Sequence, residues 1–91
     1  MPTLFRFLGY KVYIWSNEGN EPIHVHISKG NPSPNATKVW LLRDGSLELA
    51  HNKSRISNTD LNRLGVMIIQ NRALIESTWR KYHQGMITYY K

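Results

Sequence analysis

From Ile23 to Ser28 apolar and polar residues alternate with a period of two, within the stretch NEPIHVHISKGN. From Ser57 onward the apolar residues instead fall on steps of three, four or seven, at Leu61, Leu64, Ile68, Ile75, Trp79 and Tyr82. Period two belongs to a strand with one buried face, and period 3.6 to a helix with one apolar stripe. A chain of 91 residues supports one core, so the two kinds of apolar surface must bury each other. The fold class read from this is α+β, a single domain over residues 1–91. An antiparallel sheet of about four strands, roughly residues 4–50, packs on one long C-terminal helix, roughly 58–84.

Leu4–Phe7 and Lys11–Ser16 are rich in aromatic and β-branched residues, with Gly9 as the bend between them. SNEGNEP (Ser16–Pro22) is a turn cluster, and KGNPSPNA (Lys29–Ala36) an exposed connection. If Ser16 faces Ile23, then Val12, Ile14, Ile23, Val25 and Ile27 form one apolar face, and Tyr13, Trp15, His24 and His26 form the other. A one-residue slip would mix the two faces, which argues for this parity. Thr37–Leu42 and Ser46–Ala50 flank Arg43–Gly45, a hairpin signal. A bulged turn there sets Trp40 opposite Glu48, whereas a two-residue turn sets it opposite Leu49. In the helix Ser57 with Asp60 resembles a capping box, Gly65 marks close packing on the sheet, and Gly85 stops the helix. Trp79 reads as a core anchor, with Met67 and Ile69 beside its stripe; His51 and His83 read as surface residues. Met86–Tyr90 is either an edge strand or a frayed tail.

Twelve Lys and Arg against six Asp and Glu give a formal charge of +6 and a pI near 9.9, which attracts polyanions. RNA or an acidic protein is the partner class this implies. The cations are scattered, and only HNKSRIS (His51–Ser57) clusters Lys53 with Arg55. Cysteine is absent, which removes disulfides and thiolate chemistry and agrees with a cytoplasmic location. No stretch approaches the ~20 apolar residues that cross a bilayer, so no membrane partner is expected.

MPTLFRFLGYKVYIWSNEGNEPIHVHI, the later tryptophan strand and the terminal NRALIESTWRKYH together resemble the bacterial domain-of-unknown-function family 4160. That family's mark is a Glu-Pro-Pro-His-Val-His-Val run after two N-terminal strands. Glu21, Pro22, His24, Val25 and His26 match it, and Ile23 stands where a second proline is common. The resemblance implies a small cytoplasmic protein encoded beside another small protein, in an arrangement suggestive of a toxin and antitoxin pair. A neighbour-encoded, antitoxin-like protein is then the expected partner.

Three readings of the histidine pair follow. Side chains two apart on a strand share a face, so His24 and His26 could converge on one Zn²⁺, with Glu21, Glu48 or His51 as candidate third ligands. As general acid and base they could cleave RNA without metal, with Lys38 or Arg43 holding phosphate. Otherwise Tyr13, Trp15, His24 and His26 form an aromatic ladder at a surface or interface. The function expected from the sequence is a module that binds RNA or a partner protein, with metal-independent ribonuclease activity on the histidine face. That reading takes no cofactor. It uses His24 and His26 as catalysts, with Tyr13, Trp15, Lys38, Trp40, Arg43, Glu48, Lys53 and Arg55 as binding residues. The alternatives are a metal-binding protein using His24 and His26, and an interaction module without chemistry.

Overall fold

In the computed structural model, which describes residues 2–91, the period-two half forms five strands: β1 (Thr3–Phe7), β2 (Tyr10–Tyr13), β3 (His24–Lys29), β4 (Thr37–Leu41) and β5 (Leu47–His51). Each pairs antiparallel with the next in chain order. The expectation of about four strands is corrected to five, because the N-terminal segment pairs along β2 from Thr3 opposite Tyr13 to Phe7 opposite Tyr10, with an irregularity between Thr3 and Phe5.

The apolar alternation sets the β2–β3 register as expected, with Val12 opposite Ile27 and Tyr13 opposite His26. Val12, Ile14, Ile23, Val25 and Ile27 are all fully buried. In the β4–β5 hairpin Trp40 lies opposite Glu48, as the bulged turn required. Leu42 donates its N–H to the Ser46 carbonyl, and Gly45 takes φ 94, a left-handed conformation that costs glycine little. A second irregularity follows in β5: Val39 pairs with Leu49 but Lys38 with His51, so Ala50 is an extra residue. This β-bulge turns His51 onto the face that Lys38 occupies.

The single long helix is corrected to two, α1 (Asn58–Gln70) and α2 (Arg72–Tyr82). Asn71, at φ −101 and ψ 16, leaves helical geometry, and its side-chain Nδ2–H donates to the Met67 carbonyl at 2.8 Å. An asparagine amide that bonds nearby backbone competes with the helical ladder, which explains the break. The Arg72 guanidinium then ties the start of α2 to the Leu42 carbonyl at 2.6 Å. Ser57 caps α1 by accepting the Asp60 N–H at 3.2 Å.

Leu64, Ile68, Ile75 and Trp79 close the core against Val12, Ile14, Val25, Ile27, Val39 and Leu41. Two residues change places relative to expectation. Tyr82, expected on the stripe, is 43% exposed, and His83, expected at the surface, is 7% exposed. His83 lies four residues after Trp79, and its ring packs on the indole with centroids 4.1 Å apart.

Residues 86–91 form neither a strand nor a frayed tail. The Thr88 carbonyl accepts the Ile23 N–H at 2.8 Å and the Lys91 carbonyl accepts the Arg43 N–H at 3.0 Å. Tyr90 stacks on Trp40 with centroids 4.9 Å apart. The tail therefore spans the ends of β3 and β4.

Candidate metal centre

The β2–β3 register places His24 and His26 on one face, and the Ser16–Pro22 turn folds back over them. Within the turn Glu18 donates its N–H to the Trp15 carbonyl at 3.4 Å, and Glu21 donates to the Glu18 carbonyl at 3.1 Å. His83 supports the turn from below by donating Nε2–H to the Trp15 carbonyl at 3.2 Å. These contacts deliver the Glu18 carboxylate to the histidines. Its Oε1 lies 2.8 Å from His24 Nε2 and 2.9 Å from His26 Nε2, and the two Nε2 atoms are 3.2 Å apart.

An aromatic wall surrounds the three atoms. His26 stacks on Tyr13 at 5.6 Å and meets Trp15 at 6.4 Å, while His24 sits edge-on to Trp40 at 5.4 Å and Trp79 at 5.3 Å. The Tyr13 hydroxyl is paired with the Ser28 hydroxyl at 2.9 Å. The histidine face is thus a covered ladder: the side chain of His24 has no exposure, that of His26 11% and that of Glu18 25%. Access to the cluster is from the Glu18 and His26 side.

Proton bookkeeping makes the cluster unusual. His24 Nδ1 is 2.8 Å from the Pro22 carbonyl, which can only accept, so Nδ1 carries a proton. In a neutral His24 the Nε2 is then a bare lone pair. Burial pushes the Glu18 carboxyl up, but the hydrogen bonds with His26 and His24 outweigh this and hold it below its ordinary 4.5. Burial holds His26 below its ordinary 6.5 against the opposing pull of Glu18, with the charge of Lys38 adding to the depression. A carboxylate and a neutral His26 supply at most one proton, on His26 Nε2, to a triangle with three short edges. The 2.8 Å edge between His24 Nε2 and Glu18 Oε1 then sets lone pair against lone pair, unless His24 takes a second proton or a cation sits among the three atoms.

Both shifts predict acid sensitivity. Glu18 and His26 bind protons more weakly when folded, so the stability they contribute is whole above their unfolded values. It is lost as the pH falls, first below 6.5 through His26 and then below 4.5 through Glu18. The melting temperature should fall steadily between about pH 7 and pH 4, and the slope should flatten in Glu18→Gln/His26→Gln. A melting temperature that is level or rises on acidification contradicts this.

The residue that meets the histidine pair is none of those named as candidate third ligands. Glu21 is held by Lys38 at 2.6 Å and Glu48 by Lys91 at 2.8 Å, and His51 lies beyond Lys38 on β5, so none of the three named candidates meets the histidines. Glu18 does. Its signal in the sequence was only that it is the other carboxylate of the same turn.

The remaining expected binding residues divide. Lys38 lies 4.2 Å above the Trp40 ring, and Arg43 lies 4.8 Å from the Tyr89 ring centre. Lys53 and Arg55 are exposed in the loop between β5 and α1. His51 is depressed by burial and by the charges of Lys53 and Lys38, and its Nδ1 is buried without a partner among the described residues.

A family model described as a domain of unknown function, DUF4160, matches residues 9–80, which contain the whole cluster. No curated protein and no solved structure matches the chain.

Proposed function

The chain belongs to the domain-of-unknown-function family DUF4160, and from the site it carries we propose that it is a metal-binding protein, holding one first-row divalent cation through Glu18, His24 and His26. The convergence of three ligand atoms with too few protons to bridge them carries this reading. Adjacent ligands at bond lengths of ~2.0–2.1 Å sit roughly 2.9–3.4 Å apart, close to the 2.8, 2.9 and 3.2 Å edges found here. Two imidazoles and a carboxylate without thiolate suit Zn²⁺ and its neighbours, and would occupy one side of the ion. The Pro22 carbonyl fixes the His24 tautomer that leaves Nε2 free to bind, the usual role of a partner behind a ligand. Bound there, the ion would act as a Lewis acid toward whatever ligand completes its shell.

The acid and base reading draws less support from this geometry. The two Nε2 atoms are 3.2 Å apart, too close to hold a phosphoryl group between them in hydrogen-bond reach of both. A second role, binding RNA or the neighbour-encoded partner, is favoured by charge placement. The six carboxylates are all engaged within the molecule, by His24 and His26, Lys38, Ser46, Lys91, Tyr10 and Arg72, while Lys53 and Arg55 are exposed.

Equilibrium dialysis against Zn²⁺ tests the metal reading. One ion per chain is expected, with His26→Gln and the more accessible Glu18→Gln each weakening affinity by at least about a hundredfold, beyond the loss from an outer-shell partner. Affinity should fall below pH ~6 as imidazoles protonate. A folded native chain that takes up no stoichiometric ion sinks the proposal. Cleavage of RNA that persists in chelator with a bell-shaped pH profile would return the function to the histidines alone.

A further inference from the structure

The face that carries the cluster continues across the sheet. Tyr13 pairs with His26, His26 with Lys38 and Lys38 with His51, so one row crosses β2, β3, β4 and β5. Cross-strand partners share a face, and neighbouring strands lie ~4.8 Å apart, so Lys38 adjoins the proposed ion site and His51 lies one strand further on. His51 reaches this row only because of the extra residue Ala50; regular pairing would put the Ala50 methyl opposite Lys38.

We infer that the bulge, Lys38 and His51 build a binding site for a phosphate-type oxyanion that completes the coordination of the ion at Glu18, His24 and His26. This rests on the metal reading. Three observations support it. First, Glu18 and Glu21 against Lys38 leave one negative charge around the site, and a divalent cation turns that into one positive charge, which an anion neutralises. Second, Glu18, His24 and His26 bring only three ligand atoms together, and the more open approach to them is from the Glu18 and His26 side, next to Lys38. Third, the bulge brings His51 onto this face, and its buried Nδ1 has no hydrogen-bond partner among the described residues. Lys38 Nζ, held by Glu21 at 2.6 Å and over the Trp40 ring at 4.2 Å, is restrained rather than free to swing away. An oxyanion bound to the ion would take a charge-assisted hydrogen bond from Lys38, with His51 donating at the outer end of the row.

The test loads the intact protein with Co²⁺ and titrates inorganic phosphate while following the visible spectrum of the ion. A saturable spectral change is expected. Lys38→Met and His51→Gln should each raise the phosphate dissociation constant about tenfold, the worth of one charge-assisted hydrogen bond, while both variants still take up one Co²⁺ per chain. Lys38 and His51 are not ligands, so these variants separate the anion from the metal. A protein that binds Co²⁺ but shows no phosphate-dependent change, or whose variants bind phosphate as the native chain does, overturns the inference and leaves the metal reading standing. A protein that takes up no Co²⁺ removes both. A short single-stranded oligoribonucleotide that displaces phosphate at far lower concentration assigns the anion to an RNA phosphodiester; absence of displacement assigns it to a free phosphate or a small ester.

Discussion

Replacing Trp79 by alanine is expected to destabilise the protein by about 3–5 kcal/mol, through lost burial and the cavity left behind. The indole is fully buried in the core and touches the site, with His83 at 4.1 Å and His24 at 5.3 Å. Its Nε1 has no hydrogen-bond partner among the described residues, so the loss is one of packing alone. Urea unfolding should show a lower midpoint at unchanged slope. A loss below about 1 kcal/mol would mean that the helix and sheet do not meet through this residue.

Gly19→Ala should produce the second large effect, and it acts on the site as well as on stability. A Cβ at Gly19 would stand 2.6 Å from His83 Cδ2 and 2.9 Å from Cγ. The ring cannot yield cheaply, since it is packed on Trp79 and bonded to the Trp15 carbonyl. The turn must move instead, taking the neighbouring Glu18 carboxylate with it. A destabilisation of about 1–3 kcal/mol is expected from the overpacking, together with weaker cation uptake. Because His83 supplies the clash, the costs of Gly19→Ala and His83→Ala should not add in the double variant. Additive costs, or Gly19→Ala binding the ion as the native chain does, would show that the turn does not rest on this ring.

The parts that were legible in the sequence are those governed by a period. Val12, Ile14, Val25 and Ile27 fix the β2–β3 register because a one-residue slip would send every apolar side chain to the other face. Trp79 falls in the core for the same reason on a helix. What was not legible depends on single contacts. Asn71 breaks the helix through one side-chain hydrogen bond, and many asparagines sit on helices without doing so. Glu18 belongs to a turn, where no period says which carboxylate points inward; Glu21, nearer the histidines in sequence, is taken by Lys38 instead. Ala50 looks like an ordinary strand residue until its partner strand shows two residues opposite one. His83 was readable in principle, since it follows Trp79 by four, but the Tyr82 position drew the stripe one residue too early.

The order of strands along the chain has a consequence for how the protein reaches this structure. Every strand pairs with its sequence neighbour, and Glu18, His24 and His26 all belong to one hairpin and its turn. Contacts that are near in sequence close small loops, which form early and at little entropic cost. A cation would therefore find its three ligands within the β2–β3 hairpin, before α2 has docked. Ion binding would then favour the turn conformation that the His83 ring later meets, so the metal would accelerate folding as well as raise final stability. Trp79 and His83, arriving from the far end of the chain, would act on the opposite limb of the kinetics, slowing the escape of an ion already held.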